Sequence, residues 1–172
     1  MSAKALGEPG PHYQTAKDLA NAMHPSTIPN NADFHTAFIN AKADGSLAKY
    51  YLRALEIQYV SLPEPEWIPS EEPDINLEHV LPQNPENNWP ELTPDEAKSN
   101  CKRLGNLALL QRTKNTLVGN SPFSVKKPVL MNSGYELTKW IAKKRKWRVK
   151  EIGERQQEMA DLALKIWPLT IR

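Results

Sequence analysis

The chain has 172 residues and a formal net charge of +2, with 40% hydrophobic and 24% charged residues. That is one ordinary domain, or one domain with an appended segment, and it excludes a wholly disordered, collagen-like or coiled-coil chain. No apolar run approaches the ~20 residues of a membrane span, and no secretory leader opens the sequence, so a cytoplasmic protein without membrane association is expected. The single cysteine, Cys101, excludes an internal disulfide and a zinc site of four cysteines.

Residues 1–32 read as a loosely structured segment, broken by Gly7, Pro9, Gly10, Pro11, Pro25 and Pro29, with Thr15–Met23 long enough for two helical turns. The lack of a clear first element fits a chain that begins inside a longer protein. From Asp33 the pattern turns helical: Asp33 can cap, and Phe34, Ala37, Phe38 and Ala41 share a face. Asp44-Gly45 is expected to end that helix. A second helix should start near Ser46, with Leu47, Tyr51, Ala54, Leu55 and Gln58 facing inward, and the two should form a helical hairpin.

Eight of the fifteen prolines fall in residues 61–100, so this stretch cannot be a long helix or a central strand. It reads as an extended acidic region holding one short strand, Ile75–Val80, pinned to the core by Trp67 and Trp89. Then come a turn at Gly105, a strand over Leu107–Gln111 and a short helix around Thr113–Leu117 that ends at Gly119. Ser121-Pro122 opens a helix over Phe123–Met131, interrupted by Pro128. A basic helix is expected over Tyr135–Lys146. The clearest helix is Glu151–Trp167, with Ile152, Met159, Leu162, Ala163 and Ile166 on its face.

The net charge conceals an asymmetry. Residues 61–100 carry ten acids against Lys98; residues 101–150 carry thirteen Lys or Arg against Glu136. The basic half suits a polyanion, unless the two halves neutralise each other in the fold. Its densest part is Lys143, Lys144, Arg145 and Lys146, followed by Arg148 and Lys150. These are backbone-binding residue types; nothing here looks built to read bases. Trp140 and Trp147 are seven apart and are read as core packing.

The residues that could carry chemistry are few. Glu78-His79 places a metal-type carboxylate beside a possible general base at the end of the Ile75–Val80 strand. Neighbours on a strand point to opposite faces, but at its end the backbone can turn both toward one site. Asn106 precedes the next strand and Asn115 sits on the helix after it. A strand, a strand and a helix, each giving one polar group, can surround a hard divalent cation, with the Glu78 carboxylate and the Asn115 amide oxygen as ligands.

Glu78-His79, Asn106-Leu107 and Asn115 resemble the His-Asn-His (HNH) nuclease motif, the ββα-metal finger, with Asn in place of the final His. More specifically, the chain is similar to the C-terminal nuclease domain of GmrSD-type restriction proteins. The matching text runs from Leu77 to Gln83 and from Leu104 to Leu110. It continues through Asn115, Gly119-Asn120-Ser121-Pro122-Phe123 and Lys126-Lys127 to Ile152-Gly153-Glu154-Arg155 and Ala163 through Trp167. Lys49 through Glu56 resembles the helix ahead of the nuclease core. In all, the likeness covers residues 33–168.

The resemblance implies an α+β, mainly α-helical fold in which helices surround a small ββα-metal core at about 75–131, within a domain of 33–172. It implies a divalent cofactor, Mg2+ or Mn2+, held by Glu78 and Asn115. His79 becomes the general base and Asn106 the residue that orients it. Asn120, Lys126 and Lys127 become phosphate-binding or structural positions. The implied function is a DNA endonuclease, a nickase, of prokaryotic restriction or phage defence. Its implied partner is an N-terminal ParB-like NTPase sensor domain. A non-catalytic DNA-binding or interaction module of the same fold, or an RNase, is the alternative. The acidic proline-rich stretch between Glu78 and Asn106 departs from the pattern, since acid beside a DNA site repels phosphate.

Overall fold

The structure, a computed structural model, describes residues 29–61 and 74–168. The expected turns at Thr15–Met23 and the expected anchor Trp67 lie outside the described residues. Within them the chain is mainly helical, with one two-stranded antiparallel sheet, an α+β arrangement.

Helix α1 spans Asn31–Phe38. Its cap is Asn30, whose side chain accepts the Asp33 N–H at 2.9 Å while the Asp33 carboxylate accepts the Asn30 N–H at 3.2 Å. Asp33 is thus the third residue of a capping box rather than the cap itself. Helix α2 spans Gly45–Val60. Asp44-Gly45 begins this helix instead of ending α1, because Gly45 adopts the left-handed conformation (φ +52°) that turns the chain into it. Its buried stripe is Ala48, Leu52 and Leu55, at the four- and three-residue steps of one helical face, whereas Leu47 is 51% exposed. The expected hairpin is a looser pair: α1 and α2 both pack chiefly on the last helix, α7, and meet where the Phe38 and Tyr51 rings stand edge-on at 5.9 Å.

Strand β1, Ile75–His79, pairs antiparallel with β2, Leu107–Gln111, with Glu78 opposite Ala108 and His79 opposite Leu107. β2 reads Leu-Ala-Leu-Leu because both of its faces are covered. Leu107 and Leu109 join one core, with Leu52, Leu55 and Met159; Ala108 and Leu110 join the other, with Val80, Trp89 and Trp147. Between the strands lies helix α3, Pro94–Asn100, started by a Thr93–Glu96 capping box with Pro94 in its first turn. The acidic stretch is therefore helical at its end. Helices α4, Arg112–Val118, and α5, Phe123–Met131, follow β2. Gly119, at φ +40°, ends α4.

The expected basic helix is shorter than its sequence suggests. α6 spans Glu136–Ala142, and Lys143 through Arg148 form the connection to α7, Val149–Ile166. Five cations in six residues repel one another and supply no apolar stripe, so nothing holds that stretch in a helix. The start of α6 is instead fixed from α2: the Glu56 carboxylate accepts the N–H groups of Glu136 at 2.6 Å and Leu137 at 2.9 Å. Helix α7 serves both cores, Ile152 on one and Met159, Ala160 and Ala163 on the other. Among the described residues, no helix is long and apolar enough to cross a membrane.

Candidate active site

The site is organised around Asn106, which is fully buried. Its side-chain oxygen accepts the Leu81 N–H at 2.8 Å and the Trp147 indole N–H at 3.0 Å. Its amide nitrogen donates to the carbonyls of Leu81 and Cys101, both at 2.9 Å. The backbone adds a bond from the Val80 N–H to the Asn106 carbonyl at 3.1 Å. Two bonds to Leu81 and one to Val80 fix the chain just after His79, and with it the turn by which β1 ends. Asn115, on α4, braces the same strand from the other side: its amide nitrogen donates to the Leu77 carbonyl at 3.1 Å.

That turn brings Glu78 and His79 onto one cleft of about 250 Å³, which Asn115 and Asn120 also line. Glu78 is 4% exposed. Its Oε1 accepts the Lys126 ammonium at 2.6 Å, and the same ammonium donates to the His79 carbonyl at 3.0 Å. Lys126 itself has no exposed surface. It does not stand on a face where DNA phosphate could meet it, because a buried carboxylate needs a buried cation. Burial pushes the Glu78 carboxyl above its usual range and the Lys126 ammonium below its own, and each charge opposes the other's shift.

His79 is half-buried. Burial holds its pKa below the ordinary histidine value, the charges of Lys126 and Lys102 push the same way, and Asp44 pulls weakly back. The imidazole is therefore neutral at neutral pH and carries a lone pair. The Gln83 amide nitrogen lies 3.4 Å from His79 Nε2. Lys102 is occupied by Asp44 at 2.6 Å.

For a cation, the cleft offers the Glu78 carboxylate, whose Oε1 is taken by Lys126, and the Asn115 amide oxygen. Among the described residues no group of three or more His, Cys, Asp or Glu converges. Two oxygen donors with room for water and phosphate suit a small hard divalent ion, which keeps much of its hydration. The other expected phosphate-contacting residues lie apart from this cleft. Lys127 is partly buried and donates to the Lys144 carbonyl at 2.9 Å. Lys143, Arg145 and Lys146 are exposed in the α6–α7 connection. Lys144 bonds Glu154 at 3.2 Å and lies 4.3 Å above the Trp140 ring.

A family model described as the C-terminal domain of GmrSD restriction endonucleases matches residues 28–162. The chain belongs to that family. A comparison with curated proteins gives no match. Membership in the GmrSD C-terminal family makes nuclease chemistry of the restriction-endonuclease type the function class of this domain. Within the GmrSD-type domain, sequence reasoning missed two partners. Gln83 stands in the Leu77–Gln83 run, but only the turn after β1 shows that it meets His79. Trp147 is 41 residues from Asn106, and no local pattern links them.

Proposed function

We propose that the chain is a metal-dependent DNA endonuclease domain that nicks one strand at a time. Its catalytic part is a ββα-metal core of the HNH type at about 75–131, within a domain of 33–172. The observation that carries this reading is the joint placement of Glu78, His79 and Asn115 on one cleft, beneath a turn that Asn106 fixes.

Neutral His79 takes the proton from the attacking water on its unprotonated ring nitrogen. Asn106 acts through the backbone of Val80 and Leu81, holding the imidazole at the cleft without touching substrate. Lys126 opposes the effect of burial on Glu78 and holds its carboxyl in place, and its bond to the His79 carbonyl ties the base to that carboxyl. Glu78 and Asn115 are the residues that would hold Mg2+ or Mn2+, which supplies polarisation of the phosphodiester and stabilisation of the departing oxygen. The exposed cations Lys143, Arg145 and Lys146 and the cleft residue Asn120 meet the DNA backbone. Restriction or phage defence is the setting, with an N-terminal ParB-like NTPase sensor domain as partner.

The test is incubation of supercoiled plasmid with the purified chain and Mn2+ or Mg2+, with EDTA and His79→Ala as controls. Relaxed circles should form only with metal, and His79→Ala should slow their formation by about 10²–10⁴-fold with DNA binding intact. Unchanged nicking by His79→Ala would overturn the assignment. A folded chain that binds DNA without product under either metal would favour the non-catalytic module, and cleavage of matched RNA alone would favour an RNase.

A further inference from the structure

We propose that a second cleft beside the first binds a phosphate of the same DNA strand, flanking the one that is cut; this rests on the nuclease reading above. The second cleft, of about 500 Å³, lies between Trp89–Glu91, the start of α5 and the α6–α7 connection. Its cations are Lys127, Arg145 and Lys146. Among the described residues neither Arg145 nor Lys146 has an acidic partner within ion-pair distance, and Lys127 uses one of its three donors on the Lys144 carbonyl. The one acid on this wall, Glu91, is turned to Arg148 at 3.6 Å. The floor is apolar, with Pro90, Pro122 and Phe123. That is the composition that accepts a sugar–phosphate unit: cations for the anionic oxygens, apolar surface for the sugar.

A further observation links this cleft to the first. Asn88 lines the second cleft and Asn120 the reaction cleft, and the Asn88 amide nitrogen donates to the Asn120 carbonyl at 3.2 Å. One hydrogen-bonded pair therefore separates the two clefts. Phosphates succeed one another every ~3.4 Å along a strand's axis, so a strand crossing that ridge places a phosphate in the second cleft within a few nucleotides. The cleft on the opposite side, at Gln83 and Asn84, is less suited: of its two lysines, Lys102 is paired with Asp44.

The test measures duplex DNA binding by fluorescence anisotropy in EDTA over a series of KCl concentrations. The proteins are the parent chain, Arg145→Gln, Lys146→Gln, Ser124→Trp and Lys165→Gln. Each of the first two variants should flatten the log–log salt slope, by up to about 0.9 for the one phosphate that the two cations share. Ser124→Trp, which fills the cleft without changing charge, should weaken binding at least about threefold, since excluding the backbone loses both contacts. Lys165→Gln, on the far end of α7, should match the parent. If Arg145→Gln and Lys146→Gln behave like Lys165→Gln, or if Ser124→Trp binds like the parent, the proposal is overturned; so too if the parent shows no salt-dependent binding. Plasmid nicking with Mn2+, run in parallel, separates the two readings. Flattened slopes without nicking by the parent uphold the second cleft and reject the cleavage reading; nicking with unchanged slopes does the reverse.

Discussion

Lys126 and Glu78 form the most consequential pair at the residue scale. With 0% and 5% side-chain exposure, neither has water to fall back on if its partner is removed. Lys126→Met should cost about 3–5 kcal/mol, because it leaves an uncompensated buried carboxylate. Adding Glu78→Gln should recover most of that loss, and urea denaturation of the single and double variants measures both. Equal stability of the parent and Lys126→Met would sink the pairing. His79 yields a second prediction, of known sign. Its depressed pKa keeps the base neutral below the ordinary value of 6.5, so the acid limb of the nicking rate lies below pH 6.5. Lys102→Gln removes a charge that depresses the pKa and frees Asp44, which raises it; both effects move the limb to higher pH. A pH–rate profile that is unmoved or shifted downward contradicts this. The sequence exposed Glu78, His79, Asn106 and Asn115 because each sits in a recognisable local setting. It could not place Lys126 inside, since a buried lysine differs from a surface one only by a partner 48 residues away.

At the scale of elements, legibility followed locality. Strand β2 and helices α4 and α5 were readable because their signals are contiguous: an apolar run between Gly105 and Gln111, a glycine stop at Gly119 and a Ser-Pro start. Helix α3 was lost among the prolines, although Thr93-Pro94-Asp95-Glu96 is a helix start in its own right. The basic helix is shorter than its composition predicts, because the apolar positions of its inner face stop at Ile141 and Ala142 while the cations run on. Gly105 shows what no local pattern conveys. A Cβ there would stand 2.3 Å from the Ile152 carbonyl oxygen and 2.9 Å from the Gln156 Cβ, so α7 lies directly on the turn that carries Asn106. Gly105→Ala must push that helix and the turn apart, at about 1–3 kcal/mol. Because Asn106 is the next residue, nicking should fall even in conditions where the variant remains folded. Denaturation and the plasmid assay read the two effects separately, and a parent-like midpoint would reject the close approach.

The whole molecule decides whether the candidate site exists at all. Three of the groups that hold the strand–strand–helix part come from beyond residue 131. The Trp147 indole bonds Asn106, the Gln156 side chain accepts the Gly105 N–H at 3.1 Å, and Arg155 reaches the turn before β2 and β2 itself. Arg155 is fully buried. Burial lowers its pKa to about 10, still far above neutral, so the guanidinium remains charged. It donates to the carbonyls of Gly105 and Leu107, both at 2.8 Å, and of Leu137 at 3.2 Å. One side chain thus joins the turn before β2, β2 itself and α6. Helix α7 also fills both cores that flank β2. A piece limited to residues 75–131 keeps the motif but loses these partners and one wall of each core. It retains about a third of the chain, a size at which a single core is marginal even when intact. Residues 75–131 expressed alone should therefore lack a cooperative unfolding transition and show collapsed amide dispersion by NMR, whereas residues 29–168 should show both features of a folded domain. Native-like dispersion in the short piece would mean that α7 is an accessory rather than the frame of the site.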